Sequence, residues 1–408
     1  MSKNKFLIPV LILLLAVFCS CSGEEPVPDD LNDTPENITG SSEDFPADIE
    51  NTGEEIPERK SEVEILISQM TLEQKIGQMF FLAFRQDENG ENITRINNNI
   101  KNIIENFGIG GIVLFSENIR EKNQVIDYIE SLQEISDIKL FIAIDEEGGR
   151  VLRTRNLDVP RISSALSIGR TGDAQYAYDA AAVIAGYLSP LGFNVNFAPV
   201  ADVFTNSENT VIGDRAFSAD PYEAGKFVES FTKGLLENNI LPALKHFPGH
   251  GDTVSDSHFG AASTKKTLEE LFVGEFIPFN GGIAAGAPFV MTGHISAPNI
   301  TGNHLPATFS EFLLKNVLRK SLGFENIIIS DALEMGAVAQ YYNNAETAVN
   351  AVAAGVDMLL MPNNFREARD GLLNAVKSGE LSEEKIDESV KRILNVKYNA
   401  GLLNITDR

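Results

Sequence analysis

The sequence predicts an α/β protein of the (β/α)8 TIM-type barrel class, built as a single domain. Two observations point there. From about Ser61 onward, eight short apolar runs alternate with amphipathic stretches over roughly 340 residues. Charged residues gather directly after several of those runs, which in a barrel is the end where active sites are built. An open sheet of six to eight strands is the alternative architecture.

In chain order the runs are "GQMFFLAF", "GIGGIVLF", "LFIAIDEEGGR", "FNVNFAPVADV", "ILPALKHFPGHG", "PFVMTGHI", "NIIISDALEM" and "GVDMLLMP". Each holds about four to eight β-branched, aromatic or aliphatic residues without alternation, as expected of parallel strands buried on both faces. Between them lie helical patterns such as "NQVIDYIESLQEI", "AQYAYDAAAVIAGYL", "PYEAGKFVESFTKGLLEN" and "FREARDGLLNAVKSG". The final pattern, "SEEKIDESVKRILNVKYNAGL", is expected to close the outer ring of helices. No internal repeat is visible and no second domain is expected.

At 408 residues and 43% hydrophobic, the chain can bury a sizeable core. Its formal net charge of -25 excludes nucleic acid and anionic lipid headgroups as partners, since nothing would neutralise their phosphates. The acidity is uneven. Between Ser22 and Lys60 stand thirteen carboxylates against two basic residues, the composition of a solvated tether. Ahead of it, Lys3 and Lys5 precede the apolar "FLIPVLILLLAVF", and Ser20 precedes Cys21, where hydrophobicity ends. This resembles a bacterial lipoprotein signal cleaved before Cys21. Cys19 fits less well because bulky Phe18 precedes it. An uncleaved anchor is the alternative, although the run is short for a membrane span. The expected organisation is therefore a signal peptide over 1–20, a lipidated Cys21 with an acidic tether over 21–60, and the barrel over 61–408. The body would lie outside the cytoplasm, bound to the bacterial cell membrane only through lipid, and is expected to be a monomer.

Polar residues follow the third run (Asp145 to Arg153), the fifth (Lys245 to His258), the sixth (His294) and the seventh (Asp331). In a barrel these strand ends converge on one mouth. Three of the five histidines, His246, His250 and His258, fall in "KHFPGHGDTVSDSH". A metal site fits poorly, because there is no HExxH and no H-x-H at a strand end. A Ser/His/Asp triad lacks its G-x-S-x-G elbow, and "GIGGI" and "EEGG" do not make a phosphate loop. No metal and no cofactor are expected. General acid–base work remains. Asp256 and His258 are two residues apart, so in an extended segment both side chains face one way. The carboxylate would fix the imidazole tautomer and raise its pKa. Asp331 ends a wholly apolar strand, where an uncompensated carboxylate would cost several kcal/mol. It is either the cap of the next helix or a catalytic group.

"IDEEGGRVLR", "GDRAFS", "KHFPGHGDTVSDSH" and "SDALEM", in that order, resemble glycoside hydrolase family 3, in particular its bacterial β-N-acetylglucosaminidase (β-N-acetylhexosaminidase) branch, here in a single-domain lipoprotein form. The similarity runs from about Ser61 to the C-terminus. It implies a (β/α)8 barrel and a retaining hydrolase that removes terminal N-acetylglucosamine from peptidoglycan fragments (muropeptides) or chitooligosaccharides. By the match at "SDALEM", Asp331 would be the nucleophile. By the match at "DSH", His258 would be the acid/base and Asp256 its orienting partner. Asp145, Arg153, Arg215, Lys245 and His246 would hold the sugar. Two positions depart from the common pattern: "DQEGGR" is "DEEGGR" and "SDDL" is "SDAL". The second domain of many Gram-positive relatives is not expected.

A histidine–aspartate acid/base removes one negative charge from the path of an incoming anion, so phosphorolysis on the same fold is the nearest alternative to hydrolysis. A ligand-capturing binding lipoprotein is the alternative from another class. It needs no carboxylate at a buried strand end.

Overall fold

The computed structural model describes residues 61–255 and 262–404. The segment 1–60 with Cys21, and the two residues Asp256 and His258, lie outside the described residues. Eight parallel strands form one sheet: β1 (Phe80–Leu82), β2 (Gly111–Val113), β3 (Phe141–Ile144), β4 (Val195–Asn196), β5 (Leu241–Phe247), β6 (Phe289–Thr292), β7 (Ile327–Ser330) and β8 (Leu359–Leu360). Their spatial order is β7-β6-β5-β4-β3-β2-β1-β8. A bridge between Ile329 and Met358 then brings β7 against the start of β8. The result is a nearly closed (β/α)8 barrel.

Each apolar run does hold a strand, but four of the strands, β1, β2, β4 and β8, are shorter than the four to eight residues expected. β4 and β8 are two residues each. The runs continue as buried loop, as in Phe197 to Ala201 beyond β4 and Met361 beyond β8, so hydrophobicity reports burial there and not pairing. The seam between β7 and β8 is correspondingly thin. It is held by Ser330 N–H to the Met358 carbonyl (3.0 Å), by Met358 N–H to the Ile328 carbonyl (3.1 Å), and by Leu360 N–H donating to the Ser330 hydroxyl (3.0 Å).

Below that seam Asp357 is 1% exposed. One of its oxygens accepts from Ile328 N–H (2.8 Å) and Arg319, the other from Ser389 Oγ (2.8 Å) and Arg392 (3.1 Å). A single carboxylate thus ties β7 to the helices Phe312–Ser321 and Glu383–Asn399 where the ladder is shortest.

Aromatic rings fill the barrel interior. Phe81 lies parallel to Phe141 at 6.5 Å, and Phe197 and Phe289 pack on them at 5.4 and 5.2 Å. The helices start where the sequence supplies caps: Ser61 and Thr71 close capping boxes, and Asp220 caps Pro221–Leu236, which has proline at its first turn. The last helix, Glu383–Asn399, returns to the first two. Lys75 pairs with Glu383 (2.9 Å) and Asp387 (2.6 Å), and Lys397 Nζ donates to Gln78 under the barrel floor (2.9 Å). The outer ring is thereby closed by the element expected to close it. Among the described residues no helix is long and apolar enough to cross a membrane.

The sequence gives no sign of a second, small sheet. Val254–Ser255 pairs antiparallel with Ala262–Ser263, which pairs parallel with Ile295–Ser296 just beyond β6. The segment that carries Asp256 and His258 is therefore flanked by two strands rooted on the barrel mouth.

Replacing Asp357 with Asn should leave two arginines facing a neutral amide and loosen the seam. We expect a loss of about 3 kcal/mol in unfolding free energy, read by chemical denaturation. Activity per folded molecule should be unchanged, because Asp357 holds the starts of β7 and β8, at the end of the barrel opposite the mouth.

Candidate active site

Asp145 directly follows β3, and the chain then reverses through Gly148 and Gly149 so that Arg153 returns to Asp145. Gly148 has φ +88° and a Cβ on it would lie 2.7 Å from the Ser163 carbonyl, so no other residue fits that turn. Glu146, at the position where the sequence departs from "DQEGGR", is buried and pins the loop. Its carboxylate accepts from the Arg153 and Thr154 amides (2.7 and 3.2 Å), the Thr154 hydroxyl (2.5 Å) and the Tyr187 hydroxyl (3.0 Å). Every partner is a donor, which suits a carboxylate better than an amide.

β5 supplies Lys245 and His246. Adjacent strand residues normally face opposite sides, but the pairing of β5 with β6 shifts register between Lys245 and Phe247, and both side chains line the mouth. Lys245 is 2% exposed. Its ammonium sits between Asp145 (2.8 Å) and Glu147 (2.6 Å). Arg215 forks onto Glu147 with two bonds of 2.8 Å, and Arg153 reaches Asp145 at 3.3 Å. Burial opposes ionisation of both carboxylates, but the cations outweigh it. Asp145 is held below its ordinary range by Lys245 and Arg153, and Glu147 is held down to about 2 by Lys245 and Arg215. Glu147 therefore stabilises the fold above its unfolded value of 4.5, and that contribution is lost as pH falls through about 2.

Asp202 follows β4 and is fully buried. One oxygen accepts the backbone N–H groups of His246 (3.1 Å) and His250 (2.7 Å); the other is 2.8 Å from His246 Nδ1. Burial, with Arg215 beside it, pushes His246 well below its ordinary value, so the ring is neutral. Its Nδ1–H then donates to Asp202, and Nε2 is an acceptor turned toward the pocket, 3.5 Å from an Arg215 nitrogen. His250 supports this arrangement. Its ring meets the Thr253 hydroxyl at 2.6 Å and packs edge-on against His246 at 5.7 Å. Close packing of this loop on the segment after β4 needs Gly251, where a Cβ would fall 1.8 Å from the Val203 carbonyl.

Asp331 directly follows β7 and is half-buried. The next helix, Gly336–Ala339, begins after Met335, so Asp331 is not its cap and that reading of the sequence fails. Its Oδ1 accepts the Ala332 N–H (2.8 Å). Among the described residues no cation forms an ion pair with it. Lys245, Arg153 and Arg215 are committed to Asp145 and Glu147, which leaves Asp331, among the described residues, as a carboxylate of the mouth without a paired cation.

Asp145, Arg153, Arg215, Lys245, His246 and Asp331 together line a cavity of about 230 Å³. Its apolar side includes Phe115, which lies beneath the guanidinium groups of Arg85 (4.6 Å) and Arg153 (5.3 Å). Asp145, Arg153, Arg215, Lys245, His246 and Asp331, all singled out in the sequence, thus share one pocket. His250 and His294 do not line it, and Asp256 and His258 lie outside the described residues. Among the described residues no group of three or more His, Cys, Asp or Glu side chains is arranged to hold a metal ion. Sequence reasoning assigns nothing to Glu147 or Asp202. Asp202 stands at the end of an apolar run just as Asp331 does, and the same desolvation cost was its available signal.

Fold and pocket define a (β/α)8-barrel protein with a small charged mouth suited to a ligand rich in hydroxyl groups. Comparison with known proteins makes this specific. Residues 71–396 match the glycosyl hydrolase family 3 N terminal domain, and the chain belongs to that family. It is 33% identical over 365 residues to beta-hexosaminidase A of Pseudoalteromonas piscicida, covering 80% of this chain and 61% of that protein. It is 35% identical over 286 residues to a beta-hexosaminidase of Nitrosospira multiformis, covering 69% and 80% respectively. Among solved structures, the family 3 beta-N-acetylglucosaminidase from Paenibacillus sp. str. FPU-7 superposes with a TM-score of 0.77 at 36% identity, over 82% of this chain and 63% of that one. The chain spans less than two thirds of the Pseudoalteromonas and Paenibacillus proteins.

Asp202→Asn tests the tautomer. The oxygen facing two backbone N–H groups must stay an oxygen, so the amide NH2 would point at His246 Nδ1 and force the proton onto Nε2. An acceptor in the pocket becomes a donor. For the substrate proposed below, kcat/KM should fall roughly 10- to 100-fold, as for a lost or reversed buried hydrogen bond, with the fold intact by circular dichroism.

Proposed function

We propose that the protein is a retaining exo-β-N-acetylglucosaminidase acting on terminal β-linked N-acetylglucosamine. The observation that carries this reading is Asp331: a carboxylate at a barrel strand end, lining the cavity, with no cation paired to it among the described residues. An anion left unpaired beside stabilised ion pairs is available to attack an electrophilic carbon and to favour an oxocarbenium-like transition state. The cavity, at about 230 Å³, is smaller than the roughly 300–1,000 Å³ of sites for drug-sized ligands and suits one terminal sugar unit. The names carried by the family relatives support N-acetylhexosamine as that unit.

In this reading an Asp331 oxygen attacks the anomeric carbon while the glycosidic oxygen leaves with a proton from His258, giving a glycosyl-aspartate. His258, now neutral, takes a proton from water, whose oxygen displaces Asp331 and restores the starting configuration. Asp256 orients the imidazole. Arg153 and Asp145, together with the His246 acceptor, bind ring hydroxyls. Lys245 and Arg215 hold the shape of the site through Asp145 and Glu147. The proposed location is outside the cytoplasm on a lipid carried by Cys21, with muropeptides or chitooligosaccharides as natural substrates. No metal or cofactor takes part in these steps.

Cleavage of a nitrophenyl N-acetylglucosaminide, with and without phosphate, tests the reaction class. Release of free N-acetylglucosamine at a rate independent of phosphate is expected; a sugar 1-phosphate would mean phosphorolysis, and no cleavage would favour a binding protein. For His258→Ala, the first step on the nitrophenyl substrate should survive far better than on a disaccharide, because a good leaving group needs little protonation. Deglycosylation should then limit the rate, and azide should restore turnover. Equal loss on both substrates without azide rescue would place the acid/base elsewhere.

A further inference from the structure

We infer that His294 is a positioning residue that fixes the orientation of the Asp331 carboxylate through the peptide groups on either side of Ala332. His294 lies just beyond β6 and is 4% exposed, and both ring nitrogens are engaged. Nε2 is 3.0 Å from the Ala332 carbonyl and Nδ1 is 2.8 Å from the Thr308 hydroxyl. A carbonyl only accepts, so Nε2 carries the hydrogen. Burial lowers the pKa of the ring and keeps it neutral, so Nδ1 accepts from Thr308. Thr308 is itself fully buried, which leaves the ring one tautomer and one orientation.

Ala332 transmits this to Asp331. Its carbonyl is held by His294, and its N–H donates to Asp331 Oδ1 at 2.8 Å. The neighbouring amides are held too: Asp331 N–H donates to the Thr292 carbonyl and Leu333 N–H to the Leu360 carbonyl, both at 2.9 Å. The turn after β7 is therefore gripped on one side by the segment after β6 and on the other by β8. The Ala332 carbonyl also accepts the Met335 N–H (3.1 Å), a bond made within the turn itself. The His294 bond is the one that ties it to the segment after β6. Without it, the Ala332–Leu333 peptide can tilt and, through the Ala332 Cα, pass that tilt to the peptide whose N–H holds Asp331. Oδ1 is occupied by Ala332, so Oδ2 is the oxygen presented to the pocket. The tilt moves Oδ2 relative to a bound anomeric carbon. Misplacement of a reacting atom by about 1 Å costs on the order of 100-fold in rate.

The inference rests on Asp331 being the nucleophile of the proposed reaction, which cleavage by the wild-type protein and its loss in Asp331→Asn establish separately. The test uses two amides that split the two bonds of the ring. A glutamine at 294 can place its NH2 where Nε2 lies and keep the Ala332 bond. An asparagine can reproduce the Nδ1 position but falls short of Ala332. With a nitrophenyl N-acetylglucosaminide, His294→Asn should lower kcat and the pre-steady-state rate of nitrophenol release roughly 100-fold, with KM within about twofold. His294→Gln should recover most of that loss. Thr308→Val, which keeps shape and loses the hydroxyl, should fold and lose a few-fold in kcat only. Equal kcat in the Asn and Gln variants, or losses that follow thermal stability and not the Ala332 bond, would overturn the positioning role. An inactive wild type would instead remove the functional reading beneath it.

Discussion

The mouth of this barrel depends on one buried ammonium. Lys245 has almost no solvent contact, and an isolated charge there would cost several kcal/mol. It is kept charged by Asp145 and Glu147, which come from the loop after β3. The pairing fixes β5 against the loop after β3 across the mouth. Arg215, from the loop after β4, completes the cluster by its fork on Glu147. Two loops and the end of a strand are thus locked together by charge at the mouth.

This commitment of cations decides what the other groups can do. Asp145 and Glu147 are stabilised as anions that already have partners, so neither is free to attack. Asp331 is half-buried and, among the described residues, its carboxylate accepts one hydrogen bond, from the Ala332 N–H, and pairs with no cation, which leaves its charge available. His246 is held neutral by burial and by Arg215, with its proton on the Asp202 side, so it serves as an acceptor and not as an acid. A proton donor is then wanted from outside the cluster. In the proposed mechanism it comes from the segment between Ser255 and Ala262, whose flanking strands are rooted on Ile295–Ser296. The stretch from Thr292 to Ser296 therefore serves both arms: it contacts the Asp331 turn through Thr292 and His294, and it carries the strands that flank the histidine–aspartate segment.

Much of this was legible in the sequence because the strands are buried on both faces and read as continuous apolar runs. A charged residue directly after such a run stands out, and Asp145, Lys245, His246 and Asp331 were visible for that reason. Strand length was not legible, since the buried loop after β4 is as apolar as the strand. Asp202 was missed because it sits inside the apolar-looking "APVADV", and its task depends on His246 and His250 from another strand. Glu147 was hidden by its neighbours in "DEEGG", where spacing alone cannot tell which carboxylate meets Lys245 and which, like Glu146, meets only neutral donors. Whether Asp331 capped a helix could be decided only by where the next helix begins.

The central claim is that Asp331 forms a covalent bond to the sugar. Its most direct test is mass spectrometry of the protein quenched during turnover of an activated N-acetylglucosaminide whose ring is fluorinated to slow the second step. The expected result is one added sugar mass per chain, recovered on the peptide that contains Asp331 and absent in Asp331→Asn. Turnover with no adduct, or an adduct on a different carboxylate such as Asp145, would contradict it.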